Sequence, residues 1–472
     1  MADMIDFEIE LANITVPEEN RRDAEVMYQK MTIADLYNNV TREFDWLRYL
    51  QGLFGSVDLA INNTEQVVVY STAYFEQFGI LINRTSKRTL ANYVTWHIVM
   101  NRINNLPQSF INLRRNYNKA VHGIDQEQSR WRTCVNYVNE NFGMAVGRIF
   151  VEAHFNEEAK ANALEMIDNI RSAFAELLEE APWMDQETRV VAQEKADAIK
   201  EKIGYPEYIM NDTALNADYE GIEIDPYKYF ENVQTSILFS TKTQLKALRK
   251  PVDKNRWSTA PAVVNAFYSS TKNQIMFPAG ILQPPFYHGS YPKSMNYGAI
   301  AMVIGHELSH AFDDRGRHYD KDGNLKQWWS SGVIDRFKEK AQCIIDQYSN
   351  YTVEEAGLNL NGKQTQGENI ADNGGLKQAF RAYKRWVERS KTVEYLLPGI
   401  SLTHEQLFYL NFAQIWCGTA RPESYVQSTR AGRHSPGRFR VIGSVSNSYD
   451  FARAYSCPIG SKMNPINKCS VW

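Results

Sequence analysis

No stretch of this chain is apolar for long enough to cross a bilayer. The longest hydrophobic runs, such as Ala299 to Ile304, fall far short of the roughly 18 residues that a spanning helix needs. The first residues, MADMIDFEIELANIT, carry acidic side chains where a secretory leader would have a basic patch and an apolar core. Excess charge is missing too. Lys and Arg number 52 against 55 Asp and Glu, a net of −3, so there is no basic footprint for nucleic acid. No C-x-x-C pair occurs, which argues against a cysteine metal site. No G-x-S-x-G elbow and no phosphate-binding glycine loop occur either, which disfavours hydrolases of those classes. Internal repeats and low-complexity tracts are absent.

What remains is the composition of an ordinary globular chain: 472 residues, 43% hydrophobic and 23% charged, long enough for two or more lobes. Residues 1 to about 200 read as mostly helical, with apolar residues at three- and four-residue spacing through Leu164, Ile167, Ile170, Phe174 and Leu177–Leu178. A second helical run spans Thr188 to Ile203 and stops at Gly204-Tyr205-Pro206. Residues 205 to 230 lack periodicity and mark the boundary, giving lobes 1–228 and 229–472. After a helix at about 229 to 249, Ala262-Val263-Val264 and Gln274-Ile275-Met276-Phe277 are β-prone. Helical periodicity returns at Asn296 to Phe312, Ser331 to Tyr348 and beyond Gly367. The fold class is therefore mainly α with a small β component.

Six N-x-S/T sequons, at Asn13, Asn39, Asn62, Asn83, Asn211 and Asn350, point to a secreted setting. The five cysteines, Cys134, Cys343, Cys417, Cys457 and Cys469, are an odd number that fits either buried thiols or a disulfide framework.

The chemistry concentrates in Gly305-His306-Glu307-Leu308-Ser309-His310. Two histidines four residues apart share one helical face, about 6 Å apart along the axis, so both rings can address one zinc ion. Glu307 can then reach the attacking water rather than the metal. A third histidine six residues after His310 would make a metzincin, but that position is Gly316, so the class is excluded. The third ligand is instead a later carboxylate. In Gly367-Glu368-Asn369-Ile370-Ala371-Asp372, Glu368 and Asp372 lie one turn apart, so one can bind zinc while the other accepts a hydrogen bond from a ligand histidine. Three protein ligands leave a position for water, and Glu307 would take its proton and pass it to the leaving amine. An oxyanion donor is also needed, and His288, His318, His404 and His434 are all available.

At these motifs the chain resembles the neprilysin and endothelin-converting enzyme family of gluzincin metallopeptidases. The matching strings are VNAFY (264–268), FPAGILQ (277–283), VIGHELSHAFDD (303–314), GENIADNGG (367–375) and CSVW (469–472). The resemblance runs the length of the chain, and Ser309 stands where the family usually has Thr, a silent change. It implies a thermolysin-like catalytic lobe and a second helical lobe that together enclose a substrate cavity. It implies one zinc ion at His306, His310 and Glu368, with Glu307 as general base and Asp372 orienting His306. His434 matches the oxyanion donor and Arg440 the residue that grips a substrate carbonyl. Asn265 and Ala266 would pair with the substrate backbone, and Phe286, Ile281, Val303 and Trp416 would line an apolar pocket. The activity implied is an endopeptidase acting on short extracellular peptides, on the amino side of hydrophobic residues.

Family members carry a cytoplasmic tail, one membrane span and an ectodomain segment before the point where this chain begins. The equivalents of Cys343 and Cys469 pair with each other, and those of Cys134, Cys417 and Cys457 pair with the absent segment. The resemblance thus implies a fragment, truncated gene model or short isoform of a cell-surface enzyme. A non-catalytic binding or interfering partner is the competing expectation.

Overall fold

Along Glu157–Glu180, the residues Ala159, Ala163, Met166, Ile167, Ile170, Ala173, Phe174, Leu177 and Leu178 form one buried stripe. In the computed structural model, which describes residues 1–390 and 394–472, this stripe makes a helix of 24 residues. The Asn156 side chain caps it by accepting from the Glu158 amide. Each fully buried Phe or Leu on it stabilises the fold by about 1.5–3 kcal/mol. The stripe packs on two helices that matter for the site, Met302–Ser309 and Gly362–Arg389.

The chain divides into two compact units, Met1–Gln128 with Asn216–Lys254, and Ser129–Leu215 with Asn255–Trp472. These do not follow the lobes 1–228 and 229–472 expected from sequence texture. The reason is tertiary: besides Gln186–Asp197 and Lys200–Gly204, the stripe of Glu157–Glu180 packs on elements after residue 297, beyond the irregular stretch at 205 to 230. In the first unit, helix Ala2–Ile14 packs on Thr72–Arg84 and Lys87–Arg102. A two-stranded antiparallel sheet there pairs Tyr28–Thr32 with Gln66–Tyr70, Tyr28 opposite Tyr70.

The second unit holds a three-stranded sheet. Its central strand, Gln274–Pro278, is buried throughout and runs parallel to Lys200–Gly204 and antiparallel to Phe267–Ser269. Two expectations are corrected here. The helix read from Thr188 to Ile203 ends at Asp197, and Lys200–Gly204 is a strand because Ile203 pairs with Phe277. Ala262-Val263-Val264 forms no strand; the edge strand begins at Phe267. The helix expected at about 229 to 249 spans Tyr229–Leu245.

An aromatic cluster of Phe174, Trp183, Phe312, Trp329, Phe337 and Trp472 joins the core of this unit to the end of the chain. Trp183 donates from Nε1 to the Val471 carbonyl at 2.8 Å, and a disulfide ties Cys343 to Cys469. Among the described residues, no helix is long and apolar enough to cross a membrane.

Candidate metal centre

The motif helix Met302–Ser309 is buried at every position. It is entered through a π-helical turn, Tyr297–Ala301, and left through a tight turn, His310–Phe312. Its neighbour, the 28-residue helix Gly362–Arg389, is capped by Asn361, whose side chain accepts from the Gln364 amide. The two helices approach at paired glycines: a Cβ on Gly305 would stand 2.8 Å from the Gly375 Cα. That closeness brings Glu368 up to the two motif histidines.

The donor atoms converge. His306 Nε2 and His310 Nε2 lie 3.0 Å apart, and Glu368 Oε2 lies 3.3 Å from the first and 3.4 Å from the second. Ligands held at 2.0–2.1 Å around a tetrahedral zinc ion are separated by about 3.3 Å, so the three atoms already occupy three corners of such a site. Two imidazoles and one carboxylate are also the donor types zinc takes. The residues present therefore fit the ion.

Each histidine is held by a carboxylate on its other ring nitrogen. His306 Nδ1 is 2.8 Å from Asp372 Oδ1, and His310 Nδ1 is 2.7 Å from Asp313 Oδ2. A proton placed on Nδ1 leaves the Nε2 lone pair free for a metal. Asp372 in turn accepts from Arg440 Nε at 2.7 Å and Nη2 at 2.6 Å. Burial alone would raise Asp372, but Arg440 and His306 hold it down at about 2. Asp313 accepts from the amides of Arg315 and Gly316 at 2.8 and 2.6 Å.

Burial and the facing His310 oppose a proton on His306, and Asp372 and Glu368 outweigh them, so its pKa lies above the ordinary histidine value. Burial likewise opposes the charge on His310, where Glu368 and Asp313 win by a wider margin. The cluster thus attracts positive charge. Burial pushes Glu307 above the usual carboxylate range, against the pull of His306 and His310.

Of the four histidines available as oxyanion donor, the structure brings His434 to the cluster, its Nε2 3.1 Å from Glu368 Oε2. His288 hydrogen-bonds Ser290, His404 sits between Ser294 and the Glu394 carbonyl, and His318 is buried. Arg440 is buried and stacks its guanidinium over Trp416 at 3.7 Å. Exposed Asn265 and buried Ala266 immediately precede the edge strand Phe267–Ser269. Ile281 and Val303 lie in the core, while Phe286 and Trp416 are partly buried against it. Ser309 accepts from Gln378 Nε2 and donates to the Gly305 carbonyl, both at 2.8 Å, contacts that a hydroxyl of either Ser or Thr can make. All six sequon asparagines are exposed. Sequence reasoning missed Asp313; asking for a carboxylate partner to each motif histidine, one turn away, would have raised Asp313 and Asp314 together.

Comparison with known proteins gives a consistent result. Models of Peptidase family M13 match residues 1–206, as its N-terminal domain, and residues 265–471. The chain is 46% identical to neprilysin of Homo sapiens and 46% identical to endothelin-converting enzyme 1 of Homo sapiens. All of this chain is covered in both, against 64% and 61% of those proteins; it spans less than two thirds of their length. The structure superposes on the inhibitor complex of zinc metalloprotease Zmp1 from Mycobacterium tuberculosis with a TM-score of 0.88 at 30% identity. That match covers 97% of this chain and 68% of the other. PepO of Lactobacillus rhamnosis shares the fold, with a TM-score of 0.85 at 23% identity over 98% of this chain and 69% of its own.

Proposed function

The chain belongs to peptidase family M13, and on that premise we propose that it is a zinc-dependent endopeptidase of short peptides, cutting on the amino side of hydrophobic residues. The observation that carries this reading is the placing of three donor atoms at tetrahedral separations beside a buried carboxylate, Glu307. Zinc, when bound, supplies a Lewis acid and lowers the pKa of water toward 7.

The remaining work falls to the chain's own side chains. Glu307 accepts the proton of the attacking water at a carboxylate oxygen and delivers it to the departing amine. Burial raises its pKa above the ordinary carboxylate value, the direction that favours a group that takes a proton and then returns it. Asp372 and Asp313 keep His306 and His310 in the tautomer that presents Nε2. His434 donates from Nε2 to the oxyanion that develops on the cleaved carbonyl. Arg440, anchored by Asp372 and Trp416, grips a substrate carbonyl from the wall of the site. The edge strand after Ala266 leaves one side unpaired within its sheet, which suits Asn265 and Ala266 to receive a peptide backbone. Phe286, Ile281, Val303 and Trp416 shape the apolar subsite. Six exposed sequons and a disulfide support an extracellular setting.

Two variants test the reading. Glu368→Ala should abolish stoichiometric zinc by metal analysis, and full zinc affinity in that variant would remove Glu368 from the ligand set. Glu307→Gln should keep zinc and lose nearly all peptidase activity, because an amide takes no proton. A residual rate above a few per cent of wild type would end the assignment of Glu307 as base.

A further inference from the structure

We propose that Lys195 is a positioning residue of the zinc centre, holding the turn that carries Asp313 so that His310 presents its Nε2 to the metal. The proposal rests on the reading of the site as a zinc centre and extends it to a residue outside that site.

Lys195 lies on helix Gln186–Asp197 and is 0% exposed. A buried ammonium is unfavourable unless it is paired or fully hydrogen-bonded. Here its three hydrogen bonds all go to backbone carbonyls: Ala311 at 2.6 Å, Gly316 at 2.8 Å and Tyr319 at 2.6 Å. Phe312 and Trp328 face the same nitrogen at 5.3 and 5.5 Å from their ring centres. Burial pulls its pKa down to about 7, against the opposing charges of Asp313 and Asp320. Three acceptors need three N–H donors, which the ammonium has and the neutral amine lacks.

The three carbonyls are not scattered. Ala311 and Gly316 bracket Asp313, whose one carboxylate oxygen takes His310 Nδ1 and whose other takes the amides of Arg315 and Gly316. The ammonium therefore pins both ends of the turn. Asn273 secures the lysine's own backbone, donating to the carbonyls of Lys195 and Lys321 at 3.2 and 3.1 Å. The path from Lys195 to the cluster has three steps: carbonyl clamp, Asp313 carboxylate, His310 ring.

A plain internal strut would also be buried and hydrogen-bonded, and the same helix supplies one for comparison. Arg189 donates to the carbonyls of Leu178, Ala181 and Met184 at 3.0–3.1 Å, with no hydrogen bond to the turn around Asp313. Lys195→Met and Arg189→Met remove comparable clamps from one helix, and only the first touches the Asp313 turn.

The test uses the full chain and three readouts. These are zinc affinity by competition with a chromophoric chelator, amide hydrogen exchange of residues 311–319 in metal-free protein, and the urea midpoint. Lys195→Met should weaken zinc binding by roughly 10-fold or more, toward the range for losing the carboxylate partner behind a metal ligand, and speed exchange across 311–319. Arg189→Met should lower the urea midpoint while leaving zinc affinity within about two-fold of wild type, since no ligand depends on its clamp. If Lys195→Met does not fold, Lys195→Gln, which keeps two donors, should fall between wild type and the full effect. Wild-type zinc affinity and wild-type exchange in whichever variant folds overturn the proposal. A wild-type chain that takes up no zinc overturns the metal-centre reading instead, and the two failures are thereby separate.

Discussion

His434 is the most exposed side chain around Glu368, 57% against 16% for the carboxylate it approaches. Its loop is nonetheless anchored, because Ser435 donates to Asn369 Oδ1 at 2.8 Å on the long helix. An exposed ring on a held backbone can turn toward substrate without moving the three residues proposed to hold zinc. His434→Ala is therefore expected to lower kcat on the order of 10²-fold, as for loss of one oxyanion donor, with zinc affinity unchanged. A fluorogenic peptide assay beside a chelator titration checks both halves. His306 and His310 were legible in the sequence because local helix geometry alone puts them on one face. By spacing alone Glu368 was visible only as half of a pair with Asp372, and the resemblance assigned it to the metal; in the structure one carboxylate faces the Nε2 atoms and the other sits on His306 Nδ1. Asp313 was hidden beside Asp314, since nothing local tells which of two adjacent aspartates turns back to His310. Local pattern alone left the four candidate oxyanion histidines equal, and only the family resemblance singled out His434, because proximity to Glu368 comes from tertiary folding.

The proposed metal centre depends on how closely two helices can approach. A Cβ on Gly375 would stand 2.5 Å from the His306 amide nitrogen and 2.8 Å from the Met302 carbonyl oxygen. Neither backbone atom can swing aside as a flexible side chain could. Gly375→Ala is expected to part the helices, costing about 1–3 kcal/mol or more as overpacking does, and to weaken zinc as Glu368 moves away from the histidines. Gly52→Ala offers the contrast. It lies in helix Trp46–Gly55 with nothing within 4 Å of the added methyl, and should stabilise by about 0.5–1 kcal/mol. Thermal unfolding with and without zinc separates the two outcomes. Element types were readable where one face carries the signal, as in Glu157–Glu180. They were not readable where pairing over distance decides. Lys200-Glu201-Lys202-Ile203 continues a helical pattern in sequence, and only the register with Gln274–Phe277 makes it a strand. Ala262-Val263-Val264 has β-branched residues and no strand partner, so composition misleads there.

Across the whole chain, the five cysteines divide by environment. Cys343 and Cys469 are joined over a sequence separation of 126 residues. The loop they close contains Glu368, Asp372, His434 and Arg440, and it ends beside buried Val471 and Trp472. Removing a native disulfide typically costs 2–5 kcal/mol, a large part of a domain stability of roughly 5–15 kcal/mol. Cys134 and Cys417 are exposed thiols, and Cys457 is partly covered. Denatured but unreduced protein should accordingly titrate three thiols, and reduced protein all five. In the native state Cys134 and Cys417 should react fastest, because accessibility sets the rate where thiol chemistry is alike. Exposed thiols in an oxidising medium also seek partners, so the chain should form disulfide-linked species that vanish when Cys134 and Cys417 are both replaced by Ser. That double variant should keep the unfolding midpoint and the zinc affinity of the parent. Cys343→Ser with Cys469→Ser should lower the midpoint sharply and release Trp472, read as a shift in tryptophan emission. A thiol count of one or fewer in unreduced protein would show that Cys134, Cys417 and Cys457 find partners the fold does not supply, and would overturn this division.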